Sequence, residues 1–280
     1  MPTVIDELLA AWYLFAPAWI CAWLLAPLLG LVGAAMVARG AIFQGVATAQ
    51  VSTAAVALML VLTSVMPWCG TTWAIGGVAM LVAVAASIMA ISGRTSEIMN
   101  GWLFLASCAA TPLLLAHTPH GLADAQRLIT SSLIGATWWN AGLFGSLLVI
   151  CIMLLWRFGA TIRLVLLDRE FAADLGMDTV RWQTAIGLSV GIAVGLGLSV
   201  AGLLFVAGCL LLPTLAAVHL VRTVGQTIWV APVIALLAAL AGTLLSHLAD
   251  LPLGQVVVGI LAVTVATTRL LRRWIPSASR

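Results

Sequence analysis

Charge is what this sequence has least of. Only 8% of its 280 residues are Asp, Glu, Lys or Arg, against about 25% in an ordinary soluble domain. A soluble fold of this size leaves about a quarter of its unfolded surface in water and covers much of it with polar groups. Twelve bases and nine acids cannot supply that cover, and a mean hydropathy of +1.19 agrees. A soluble enzyme, a disordered chain and a nucleic-acid binder are excluded on these grounds. Lysine is missing altogether, so all twelve bases are arginine. A P-loop needs a lysine on the β- and γ-phosphates, and Schiff-base chemistry needs a lysine amine. Any ATP this protein uses is therefore expected on another subunit, with no cofactor bound by the chain itself. Cysteine is sparse and scattered: Cys21, Cys69, Cys108, Cys151 and Cys209 show no paired spacing. They read as small apolar packing residues and indicate no redox compartment. The deep apolar runs hold almost no acids, which argues against an intramembrane enzyme built on an Asp/Asp or His/Glu pair.

What the sequence does have is apolar length. About 20 apolar residues span a bilayer, and the few charges serve as fence posts. The uncharged stretch between Arg39 and Arg94 fits two spans, with a turn at Pro67-Trp68-Cys69-Gly70-Thr71-Thr72. A second stretch, between Arg181 and Arg222, fits two short spans hinged near Ala201-Gly202. Five single runs remain, at roughly 10–38, 98–117, 132–156, 228–248 and 253–270. The expectation is an all-α integral membrane protein of about nine transmembrane helices, since lipid satisfies no backbone hydrogen bonds and no alternating β-segments occur. Eleven arginines fall on one side of such a bundle and only Arg127 on the other. Arginine-rich loops stay in the cytoplasm, which places the N-terminus outside and the C-terminus inside. The first apolar run follows two acids and is too long for a signal-peptide core, so no cleaved leader is expected. Trp12, Trp68, Trp73, Trp138, Trp139, Trp182 and Trp274 sit near span ends, as in an interfacial aromatic belt. Gly187, Gly191 and Gly195 form a small-residue stripe, read as close internal helix packing ahead of dimerisation. Pro17, Pro27, Pro112, Pro213 and Pro232 lie in or near the apolar runs, where broken helices can line a path.

The longest polar stretch is residues 157–181. Asp168 is placed to N-cap a short helix and Gly176 to stop it, with Phe171, Ala172 and Leu175 on one face. It is either a solvated loop or a docking knob for a cytoplasmic partner. Asp168, Ala172 and Gly176, spaced four apart between two spans, resemble the coupling helix of ABC importer permeases. Further motifs resemble the zinc/manganese-type metal ABC permeases: Gly202-Leu203-Leu204-Phe205-Val206-Ala207-Gly208, then Leu211-Leu212-Pro213, Ala216-Ala217 and Arg222-Thr223, and the D-x-P-x-G element Asp250 to Gly254 after Ser246-His247. The resemblance runs over roughly residues 25 to 272.

It implies a single permease domain over 1–280, forming a homodimer in a bacterial plasma membrane. Two cytoplasmic ATP-binding subunits would dock on it through Asp168, Glu170, Ala172 and Gly176, and an extracytoplasmic metal-binding protein would deliver the ion. Lipid, and no nucleic acid, is the other partner. The family's second span usually carries G-D-x-x-x-H, whereas Gly45-Val46-Ala47-Thr48-Ala49-Gln50 puts Val46 and Gln50 at the Asp and His positions. Zinc wants imidazole, thiolate or carboxylate, which neither offers. The metal site lies elsewhere, or passage needs no tight site, or the substrate differs.

Candidate residues for the translocation path are Gln44, Gln50, Pro213, His247 and Asp250, with helix-to-helix hydrogen bonding the alternative for the two glutamines. His247 and Asp250, three apart, are the candidate metal ligands, with Asp250 as a cap of the ninth helix the alternative. His219 reads as packing or snorkelling, and His117 and His120 as outer-loop residues within reach of incoming metal. Glu97 reads as an acid stabilising a helix N-terminus. The leading expectation is the permease of an ATP-driven importer of a divalent transition metal, zinc or manganese. The alternatives are a secondary transporter or channel without an ATPase, or an ABC permease for iron or a chelated metal.

Overall fold

The computed structural model describes residues 4–63, 66, 68, 71–89, 96–116 and 133–274. The described residues form nine α-helices and one 3-10 turn. These are α1 (Val4–Ala38), α2 (Ile42–Leu62), α3 (Thr72–Met89), α4 (Ser96–Leu115), α5 (Trp138–Leu167), α6 (Arg169–Asp174), α7 (Thr179–Leu220), α8 (Val224–Ala249) and α9 (Leu253–Trp274). Seven are long and apolar enough to cross a membrane, and α3 is a shorter apolar helix. At 42 residues α7 would be about 63 Å long if straight, twice the hydrocarbon thickness. It is not straight. Gly202 has φ 79 and ψ 168, a region only glycine occupies freely. Val206 packs back against Gly197 across this turn. So α7 folds back on itself as a hairpin at the hinge expected near Ala201-Gly202. Its two limbs, the shorter α3 and the other six long apolar helices give nine apolar helical segments among the described residues, seven helices being long enough to count as candidate spans.

The passes are held by close approach of backbones. Among lipid tails there is no water to expel, so packing of small residues carries association. Gly191 lies against Val84 and Gly195 against Met80, which sets α7 antiparallel to α3. Gly33 meets the backbone of Leu210, and Gly30 meets Ala231 to Ala235 of α8. The stripe at 187–195 is therefore internal packing. Cys21 and Cys209 are fully buried, in keeping with the packing role; Cys69 lies outside the described residues.

Contacts identify the two ends of the bundle. At one end are the turns at 39–41, 168–178 and 221–223, where Arg272 touches His219 and Arg163 lies over Gly225. At the other, Trp19 meets His247, Trp23 bonds Thr243, and Trp73 meets Trp139. Trp12, Trp68, Trp73, Trp138 and Trp139 are all exposed here, as an aromatic belt requires. Trp182 differs: it is half-buried against Phe158, 5.2 Å between rings.

Two span limits differ from the sequence reading. Helix α1 begins at Val4, and α5 runs on to Leu167 past a break at Phe158 (φ −123, ψ 17). The polar segment expected over 157–181 therefore begins as helix, and its non-spanning part is 168–178. Arg157 and Arg163 mimic a span boundary because long arginine stems let a helix continue while the charge sits at the surface.

Candidate functional site

Three places carry the polar chemistry. The first is a seam between α2 and α3. Gln44, Thr48 and Ser52 recur every four residues on one buried face of α2. Gln44 Nε2 donates to the Ser87 carbonyl at 2.9 Å, and its Oε1 accepts from Arg39 Nη2 at 3.1 Å. The hydroxyls of Thr48 and Ser87 are 3.4 Å apart, and Ser52 donates to the Ala79 carbonyl. This seam fixes α3 on α2; Gln44 is used in joining helices. Gln50 is buried on another face of α2, and Val46 is half-buried. Pro213 is buried in the second pass of α7, beside Thr214, whose hydroxyl donates to the Gly30 carbonyl at 3.5 Å.

The second place is a cavity of about 630 Å³ at the tryptophan-rich end. Its polar lining is Ser246, His247, Asp250 and Gln255, and its aromatic wall is Phe15 and Trp19. The i, i+3 spacing does bring His247 and Asp250 to one cavity. The His247 ring stands edge-on to Trp19 at 5.9 Å. Asp250 closes α8 with φ 50, in the left-handed region that a short polar residue tolerates. It thus ends the eighth helix rather than capping the ninth, which starts beyond Pro252. Gln255 enters from the first turn of α9 with its Oε1 buried and without a hydrogen-bond partner. Sequence spacing could not find Gln255 or Trp19, because they come from other elements. Among the described residues no three His, Cys, Asp or Glu converge.

The third place is the connector between α5 and α7. Asp168 Oδ1 accepts from the Phe171 N–H at 2.9 Å, capping α6. Gly176 has φ +77. Its N–H donates to the Ala173 carbonyl and the Met177 N–H to the Ala172 carbonyl, the paired bonds of a Schellman stop. Asp178 then caps α7 and pairs with Arg181 at 2.8 Å. Ala172 is fully buried, whereas Phe171, Leu175 and Glu170 are exposed. The expected single face of Phe171, Ala172 and Leu175 is thus two faces. Ala172 roots the helix on the bundle, and Phe171 and Leu175 point away. Replacing Asp168 by Ala removes the cap at a cost of about 1 kcal/mol to α6. Amide exchange at Phe171 and Ala172 should quicken, while Asp168→Asn should leave it unchanged.

The remaining candidates are quickly placed. His219 is half-buried, with Nδ1 3.4 Å from Arg272 Nη1, so it packs. Glu97 falls in the first turn of α4, and its side chain lies outside the described residues. His117 and His120 lie outside the described residues.

Seven long apolar helices, a capped connector at the arginine-rich end and a cavity holding four polar side chains at the other define a multi-pass membrane protein. The chain belongs to the ABC 3 transport family, whose profile matches residues 11–271. It is accordingly a transmembrane subunit with no ATPase domain of its own, and the secondary-transporter and channel alternatives fall. The fold is similar to that of PsaBC from Streptococcus pneumoniae, solved in complex with Fab, with TM-score 0.75, 15% identity and 95% of each chain covered. It is also similar to a protein described as a metal-chelate type ABC transporter in an inward-facing conformation, with TM-score 0.72 and 16% identity over 96% of this chain and 91% of that one. No curated protein matches the chain.

Proposed function

We propose that this chain is the permease of an ATP-driven importer of a divalent transition-metal ion, zinc or manganese. Family membership across residues 11–271 carries the reading. The likeness to a metal-chelate type transporter and the motif resemblance to zinc/manganese-type permeases support the substrate class. The whole chain acts as one permease domain, as a homodimer in a bacterial plasma membrane. The arginine bias supports a cytoplasmic connector end and an N-terminus outside. ATP-binding subunits engage the connector, and an extracytoplasmic protein delivers metal to the opposite end. ATP-driven closure of those subunits, passed through α6, opens the path alternately to each side. His247 and Asp250 meet the arriving substrate.

A second reading has its own support: the substrate is a chelated metal, iron included. The outer cavity is far larger than a bare ion needs. It also offers aromatic faces, a carboxylate, an imidazole and an amide rather than a tight ligand set.

Metal content of a deletion strain under scarcity tests both readings. Zinc or manganese should fall and return with the wild-type gene. If zinc, manganese and iron are all unchanged, the metal reading fails. In proteoliposomes carrying the complete transporter, uptake of bare zinc or manganese supports the first reading. Uptake of only the chelated metal supports the second. The His247→Ala, Asp250→Asn double variant should raise the substrate concentration giving half-maximal uptake about ten-fold, as expected for loss of about 1.4 kcal/mol of binding. Unaltered uptake would remove these residues from the path.

A further inference from the structure

The break in α5 opens a second cavity that the transport reading does not use. At Phe158 the backbone leaves helical geometry, and a kink joins the two helical stretches of α5. Beside the break lies a cavity of about 360 Å³ lined by Trp156, Arg157, Gly159, Arg163, Gly225 and Trp229. It sits toward the arginine-rich end, between α5 and α8.

Its chemistry is one-sided. Two guanidinium groups line it and no carboxylate does. Among the described residues neither arginine forms an ion pair; the ion pair found there is Arg181 with Asp178. Arg157 lies over the Phe158 ring at 5.0 Å, and the Arg163 side chain passes close to Gly225, where a β-carbon would lie 3.1 Å from Nη1. These contacts set where the two exposed side chains lie and leave planar N–H forks available to an acceptor. Such forks match the oxygen geometry of phosphate.

The surroundings are those of a membrane interface. Trp156 is 83% exposed and Trp229 46% exposed. Trp229 lies near the start of α8 and Trp156 beside the α5 break, and exposed tryptophans of this kind are at home among lipid headgroups. Leu155 and Ile228 line this cavity and also the neighbouring one, an apolar cleft of about 100 Å³ walled by Leu31, Ile162, Leu166 and Ile186. A charged groove therefore runs directly into an apolar slot. A free anion has no use for the slot, whereas a phospholipid fills both parts.

We propose that this groove is a binding site for an anionic phospholipid, its phosphate held by Arg157 and Arg163 and an acyl chain laid along the Leu155–Ile228 cleft. Basic pockets between transmembrane helices on the cytoplasmic side are suited to such headgroups. The site depends on the chain spanning a membrane and not on which metal it carries. Its occupant would brace the broken helix immediately before the connector.

The test uses the full chain with its partner subunits, purified in a neutral detergent and supplied with defined probes. Phosphatidylglycerol should raise the melting temperature and appear as a retained adduct in native mass spectrometry. Phosphatidylcholine should do neither. The Arg157→Gln, Arg163→Gln double variant should bind phosphatidylglycerol about thirty-fold more weakly, about five-fold for each charge lost. Arg181→Gln, which removes an arginine outside the groove, should bind as wild type. Should the double variant not fold, Arg157→Lys, Arg163→Lys keeps the charges without the forks, and an affinity between the two is expected. Equal binding by wild type and both variants overturns the proposal, as does equal stabilisation by phosphatidylcholine. Stabilisation by inorganic phosphate alone that matches phosphatidylglycerol would make this a free-anion site. Loss of the ATP-binding subunit from the double variant, with lipid binding intact, would make it a docking surface instead.

Discussion

Gly33→Ala should abolish the folded permease, and Gly195→Ala should come close. A β-carbon at position 33 would stand inside the radius of the Leu210 carbonyl oxygen and 2.8 Å from its carbonyl carbon. At position 195 it would press on the Met80 Cα and lie 2.8 Å from the Met80 nitrogen. These obstacles are main chain inside helices, so no rotamer change relieves them, and whole helices must separate. Overpacking an interior typically costs about 1–3 kcal/mol where side chains can adjust; a backbone obstacle should cost more. Most domains have only about 5–15 kcal/mol in total. Helices α1 and α7 also anchor the rest of the bundle, so the loss is not local. Gly77→Ala and Gly142→Ala are the matched controls, since nothing lies within 4 Å of a β-carbon at either position. They should be neutral or slightly stabilising, because alanine suits a helix better than glycine by about 1 kcal/mol. Membrane abundance and melting temperature of the detergent-solubilised protein read the difference. Wild-type behaviour of Gly33→Ala would mean that α1 does not cross the second pass of α7 at Leu210.

The passes were legible because lipid punishes charge, so a sequence in a bilayer marks its own boundaries. The break at Gly202 followed from length alone, as one uncharged stretch was too long for one crossing. Asp168 and Gly176 announced the ends of α6 through local backbone chemistry that does not depend on the rest of the fold. The extension of α5 beyond Arg157 was hidden, because an arginine that snorkels looks like one in a loop. Equally hidden were the partners of polar residues. Nothing near Gln44 in sequence signals that it bonds the Ser87 carbonyl, and nothing near His247 signals Trp19 or Gln255. Those pairings arise from which helices become neighbours, a property of tertiary packing. The faces of α6 fall between these cases. Spacing gives the four-residue step from Phe171 to Leu175, but only packing decides that Ala172 is the buried side.

That division of α6 yields the sharpest functional expectation. Phe171→Glu with Leu175→Glu should release the ATP-binding subunit while the permease stays folded. Both side chains are more than half exposed, and no described polar contact depends on them. Their substitution costs the bundle little, and surface changes usually stay within about 0.5 kcal/mol. Full burial of such a side chain is worth about 1.5–3 kcal/mol, and a partner covering the exposed half of each gains about half of that, so their loss should weaken docking about ten- to a hundred-fold. Adding two carboxylates to a segment that already holds Asp168, Glu170, Asp174 and Asp178 increases the penalty for an acidic partner surface. Ala172→Arg should behave differently. Its β-carbon faces the bundle with no exposed area, so a guanidinium there must force α6 off its seat. Docking and melting temperature should then fall together. Gly176→Val should resemble Ala172→Arg in milder form, since a branched side chain at φ +77 strains the Schellman stop. Co-purification of the ATP-binding subunit, melting temperature and ATP-dependent uptake, measured on all three variants, separate a docking face from a structural root. If the Phe171→Glu, Leu175→Glu variant retains its ATP-binding subunit and full uptake, the connector does not transmit ATP hydrolysis, and docking must lie elsewhere on the arginine-rich end.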